Sequence, residues 1–174
     1  MLQKILIGLA AVVAILVGVI LMQPDSYAVT RSGVVPAPPE VAFAHVNDFS
    51  KWGAWSPWAK LDPNMKLTMS PNPAGKGATY SWIGNDDVGE GKMTITDSTP
   101  SSSVDIDLEF IKPFASSAKT KFTFAPEGAG TKVTWAMTGQ SNFMTKAFGL
   151  FMNMDKMIGA DFEKGLDQMK AAVK

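Results

Sequence analysis

The chain has 174 residues, with sixteen basic and sixteen acidic side chains, one histidine and no cysteine. That balance gives nucleic acid no electrostatic foothold, and the lack of cysteine excludes a disulfide framework, a thiol nucleophile and thioester lipidation. A lone His45 is a poor start for a metal site, so neither a metal nor another cofactor is expected.

Ile5 to Met22 is an uncharged apolar run broken only by Gly8 and Gly18. As a helix it would be about 27 Å long at ~1.5 Å per residue, close to the hydrocarbon thickness of a bilayer. Lys4 precedes it, so the positive-inside bias puts the N-terminus in the cytoplasm and the rest of the chain on the extracytoplasmic, periplasmic or cell-surface side. The expected division is a single-pass transmembrane anchor at 1–24 and a domain at 25–174. A signal peptide cut after Ala28 is the rival, since Ser26-Tyr27-Ala28 has small residues where a peptidase would look. The run exceeds the usual apolar length of such leaders, and the cut would fall inside the first predicted strand, so retention is favoured.

Tyr27 to Val35 is the first predicted strand, with Val29, Arg31, Gly33 and Val35 on one side; Pro36-Ala37-Pro38-Pro39 stops it. Proline suits a helix start, so a short helix follows from Pro39 to Asn47, with His45 on its surface. Lys51 to Trp58 then places three tryptophans in seven residues around Gly53 and Pro57. Such a stretch is neither a regular strand nor a long helix; it is a hydrophobic plug, a cavity lid, or both.

From Met65 the pattern is an antiparallel meander. The strands are Met65–Met69, Ala78–Ile83 with Tyr80 and Trp82 on one face, and Gly89–Asp97 with Met93 and Ile95 on one face. Ser103 to Ile111 sets Asp105, Asp107 and Glu109 against Ile106, Leu108 and Phe110. Lys119 and Lys121 alternate with Phe122 and Phe124 on the next strand. A turn near Phe114 would face Glu109 to Lys119 and Asp107 to Lys121, a solvated ion-pair ladder rather than a catalytic carboxylate cluster. Thr131 to Thr138 is the last strand, presenting Val133, Trp135 and Met137.

Phe143, Phe148, Leu150 and Phe151 form an apolar preface, and Asn153-Met154-Asp155 marks a kink or a helix restart. Met154, Met157, Ile158, Phe162, Leu166, Met169 and Val173 then recur at helical spacing as far as Lys174. A sheet with one apolar face must bury it against something, and this helix is the partner. The fold class is α+β: a curved antiparallel sheet of about seven strands wrapped around a long C-terminal helix, with a short helical insertion after the first strand.

Several stretches carry a family resemblance. They are Pro36-Ala37-Pro38-Pro39-Glu40-Val41, Asn47-Asp48-Phe49, Trp52…Trp55-Ser56-Pro57-Trp58, Gly77–Trp82, Gly89–Met93 and Gly130–Trp135. In this order they resemble the polyketide cyclase/dehydrase-like (SRPBCC) branch of the START-like, helix-grip superfamily over Tyr27 to Lys174. The resemblance implies a deep cavity between sheet and C-terminal helix. That superfamily includes lipid carriers, binders and cyclases, so fold does not settle activity.

The expected ligand-lining residues are Trp55, Trp58, Tyr80, Trp82, Met93, Phe110, Trp135, Met137, Met157 and Asp161, together with the inner-face residues Ile95, Leu108, Phe122 and Phe124. Asp161, at the edge of the apolar stripe, is the one candidate for acid/base work; otherwise it is a solvated flank residue. Without a Ser–His–Asp or Cys–His constellation, the first expectation is a membrane-anchored binder or carrier of a small hydrophobic molecule or lipid. The alternatives are a cyclase or dehydratase using Asp161, Tyr80 or a bound water, and a protein-interaction module.

Overall fold

Proline, glycine and the alternation of apolar with polar residues divide the chain as expected. The computed structural model describes residues 1–173, so Lys174 of the expected C-terminal helix lies outside the described residues. Helix α1 (Leu2–Leu21) is uninterrupted and almost wholly exposed, with Ile20 its one buried residue. After a four-residue link comes β1 (Ser26–Val35), then α2 (Pro39–Asn47) and a 3₁₀ turn at Phe49–Ala54. The meander is β2 (Lys66–Met69), β3 (Thr79–Ile83), β4 (Glu90–Thr99), β5 (Ser103–Lys112), β6 (Ser116–Glu127) and β7 (Gly130–Gln140). A short α3 (Phe143–Gly149) and a long α4 (Met154–Ala172) close it.

The seven strands form one antiparallel sheet in the order β1-β7-β6-β5-β4-β3-β2. Every strand pairs with its chain neighbour except β1, which the α2 insertion separates from β2 and which pairs with β7 instead. Strand periodicity puts Arg31, Trp135, Phe122 and Val104 in one row of the inner face, and Val29, Met137, Thr120, Ile106 and Ile95 in the next. Arg31 apart, the outer face carries the charges of these rows.

The β5–β6 hairpin corrects the expected ladder. Lys119 pairs with Asp107 at 2.9 Å and Lys121 with Asp105 at 2.8 Å, while Glu109 lies opposite Ser117. The register is slipped by two residues from a turn at Phe114. Because the strand period is two, a slip of two changes every partner and no face, so the ladder stays on the solvated side.

Helix α4 restarts at Asn153, whose side chain accepts from the Lys156 N–H. It buries Gly159, Phe162, Gly165, Leu166 and Met169 and packs chiefly over β1. Phe162 stacks on Trp135 with ring centroids 3.9 Å apart and planes 7° from parallel. Two glycines permit that approach. A Cβ on Gly165 would come within 2.9 Å of the Trp135 ring, and one on Gly159 would collide with the Arg31 guanidinium. Met157 is not in the seam as expected but 45% exposed. Five residues before Phe162, it lies about 140° around the helix at ~100° per residue. Adjacency in an apolar stripe placed it one position too far round.

The tryptophan-rich segment folds under α4 as a plug. Trp52 donates its indole N–H to the Val46 carbonyl at 2.9 Å, and Trp55 donates to the His45 carbonyl at 3.0 Å. Both acceptors belong to the last turn of α2, whose carbonyls have no partner within the helix. The two rings meanwhile meet each other at a centroid distance of 4.7 Å and Phe49, Phe122 and Trp135 at 5.3–6.1 Å. Each such contact adds about 0.5–1.5 kcal/mol beyond the area it buries.

Replacing Phe162 by Ala should therefore lower the unfolding free energy by about 3–5 kcal/mol, measured by chemical denaturation with tryptophan fluorescence. Met157→Ala should change it by less than about 0.5 kcal/mol. Equal losses at the two positions would contradict this seating of α4.

Candidate ligand groove

The inner face is covered unevenly. Under the C-terminal two-thirds of α4 the plug fills the space: Trp55, Phe122 and Phe162 are essentially inaccessible, and Trp135 touches Trp55, Trp58, Phe122 and Phe162. The first turn of α4 buries none of its side chains. Below and beyond it run two further rows of the inner face. One joins Tyr27, Gly139, Ala118, Leu108, Met93 and Tyr80. The other joins Phe110, Gly91 and Trp82 and ends at Leu67.

In these rows Trp82, Met93, Leu108 and Phe110 are half-buried, and Leu67 is exposed. The Trp82 ring packs against Gly91, where a Cβ would collide with it and with the Glu109 carbonyl, and its N–H donates to the Val88 carbonyl at 3.0 Å. Phe110 meets the edge of Trp82 at 6.3 Å. The result is a partly covered apolar floor on β3, β4 and β5, beyond the main seat of α4 on β1.

The expected lining residues thus divide into two groups. Trp82, Met93 and Phe110 are together in the open half, with Tyr80 buried beside Trp82 and Phe49. Trp55, Trp135 and Met137 are in the packed half, in contact with one another's neighbours, with Trp58 half-buried at its edge. Met157 and Asp161 sit on the flank of α4 away from Arg31. Asp161 is half-buried and its carboxylate has no hydrogen bond or ion pair among the described residues. His45 is tied down locally, its Nδ1 3.0 Å from the Val41 carbonyl.

Two polar groups in this interior are unusual. Trp135 Nε1 is buried and meets no acceptor among the described residues. Burial raises the Tyr80 phenol above its ordinary value of 10.0, so the hydroxyl stays protonated at neutral pH and can donate or accept a hydrogen bond.

Sequence reasoning missed the residue that holds the N-terminal half of α4 in place. Arg31, on the inner face of β1, spans two turns of the helix. It donates to both Asp155 carboxylate oxygens at 3.0 Å, to the Asp155 carbonyl at 3.0 Å, and to Glu163 at 2.8 Å. The guanidinium lies in the gap left by Gly159. The available signal was an arginine among the inward-facing residues of β1 and a glycine midway between two acids on α4.

The sheet gripping a single long helix is a helix-grip fold, and solved structures share it. A protein from Chromobacterium violaceum has a TM-score of 0.60 at 15% identity, covering 87% of this chain and 98% of that one. A protein from Rhizobium leguminosarum gives 0.63 at 13% identity, covering 86% and 95%. Ara h 8.0201 gives 0.59 at 12% identity, covering 85% and 97%. No curated protein matches the chain by sequence. The sequence profile described as polyketide cyclase / dehydrase and lipid transport matches residues 27–174, and the chain belongs to that family.

The clamp makes the helix seat acid-sensitive. Arg31 holds the Asp155 carboxyl below its ordinary value of 3.8, chiefly by hydrogen bonding. A lowered folded value means the stabilisation is complete above the unfolded value and disappears as pH falls through the folded one. Wild type should melt above Asp155→Asn at neutral pH, and the gap should close only as pH drops below the ordinary carboxylate range. A gap that persists at the acid end, in thermal melts followed by circular dichroism, would refute the clamp.

Proposed function

We propose that this chain is a membrane-anchored binder or carrier of a small hydrophobic molecule or lipid, without a catalytic constellation of its own. The observation that supports it is the half-covered apolar floor formed by Trp82, Met93, Leu108 and Phe110. Apolar side chains in a concavity exclude water poorly on their own and are stabilised by an apolar guest. Tyr80, next to Trp82 and Met93, supplies a hydroxyl that would orient a ligand oxygen.

On this reading residues 1–24 anchor the chain as a single-pass helix, with the domain from 25 onward on the extracytoplasmic side. Helix α1 is long and apolar enough to cross a membrane, a property that a signal sequence shares. The family description, which includes lipid transport, is consistent with a greasy cargo.

Native mass spectrometry of the full chain released from mild detergent tests the reading. A lipid-sized adduct should survive activation that strips detergent. Phe110→Asp and Leu108→Arg should each weaken retention about tenfold or more, because a charge buried against a hydrocarbon guest costs more than the ~1.4 kcal/mol that tenfold represents. Both side chains are only half-buried, so the fold should persist. Adduct levels unchanged in both variants would end the proposal.

A further inference from the structure

The open half of the groove faces the same end of the domain as the exit of α1. Ser26, separated from α1 by four residues, pairs with Gln140 at the end of β7, so the chain enters α3 beside the point where it leaves α1. Three contacts fix this arrangement. The Ser141 N–H donates to the Asp25 carbonyl at 2.8 Å, Lys146 pairs with the Asp25 carboxylate, and α1 touches α3 near its own buried Ile20. The link Met22–Asp25 can extend at most about 14 Å at ~3.6 Å per residue.

This junction carries a concentrated apolar surface. Met144 and Phe148 of α3 are exposed, as are Phe151 and Met152 in the connection to α4, with Phe151 82% exposed. Phe114, at the tip of the β5–β6 hairpin, is exposed too and meets Phe148 at a centroid distance of 5.9 Å. Ser141 to Met154 contains no acid and one lysine. A recess of about 430 Å³ lies between this segment and the α1–β1 link, bordered by Gln23, Tyr27, Lys146, Phe151 and Met154.

We propose that α3, the α3–α4 connection and the β5–β6 tip dock into the interface of the membrane that α1 crosses, so that the groove opens onto the bilayer. This rests on the anchored reading given above. Exposed phenylalanine and methionine on a short segment, free of carboxylates and tethered beside a spanning helix, are the chemistry that lies in the headgroup and acyl boundary. A cargo could then pass between the bilayer and the floor at Leu108 and Phe110 without crossing water.

The chain has no cysteine, so single-cysteine variants of the full protein report position cleanly. Phe151→Cys, Val13→Cys and Ala129→Cys, each labelled with bimane, are reconstituted into phosphatidylcholine–phosphatidylglycerol vesicles containing lipids spin-labelled at shallow or deep carbons. Docking requires that the label at 151 lose fluorescence most to the shallow quencher, the label at 13 most to the deep one, and the label at 129 to neither. Quenching at 13 with none at 151 overturns the docking and leaves the anchor standing. No quenching at 13 removes the anchor and the docking with it. A label at 151 shielded from lipid, with emission that depends on protein density, assigns the surface to a second copy and also overturns the proposal.

Discussion

The structure depends on how closely α4 can approach the sheet at Trp135. Stacking of Phe162 on that ring at 3.9 Å requires a helix face with almost no side-chain bulk on either side of the phenylalanine. Gly159 and Gly165 provide it. Glycine in a helix interior costs roughly 1 kcal/mol relative to alanine, and two of them would weaken an isolated helix. Here the loss is offset by ring contact on one side and by the Arg31 clamp on the other. The remaining aromatic packing follows, since Trp135 is also the wall against which Trp55, Trp58 and Phe122 rest.

That single close contact divides the interior in two. Where α4 is tight on β1, rings fill the space and water has no entry. Toward its N-terminus the helix has no comparable anchor in the sheet and is held by ion pairs at Arg31, which are partly solvated and individually weak. The inner-face residues of β3, β4 and β5 at that end are therefore only partly covered. The two halves differ in kind, a dry aromatic core and an adjustable apolar floor, and local opening is expected at the second rather than the first. The same end holds α1, α3 and the exposed phenylalanines, so the partly covered floor adjoins an exposed apolar surface.

Much of the framework was legible in the residues. Alternation marked the strands and their buried faces, and the apolar spacing after Met154 marked the long helix. The inward set of β1, including the out-of-character Arg31, was visible as a face. Tyr80, Trp82, Met93 and Phe110 could be grouped from alternation, because a sheet converts position parity directly into a shared surface. Met157 could not be placed correctly, since a stripe of apolar residues in sequence is broader than the seam a helix actually buries. The hairpin partners were off by two for a related reason. Parity is strongly specified by burial, whereas the partner depends on the turn.

The residues themselves determined which faces are greasy, where the chain bends, that an apolar helix precedes the domain, and that no thiol or histidine cluster is available for chemistry. Tertiary structure alone decided which of those greasy residues touch one another and which remain uncovered. Periodicity is a property of one element, but coverage is set by the distance and tilt between two. Here both were fixed by glycines whose role becomes visible only when a tryptophan and an arginine from distant strands come to lie over them.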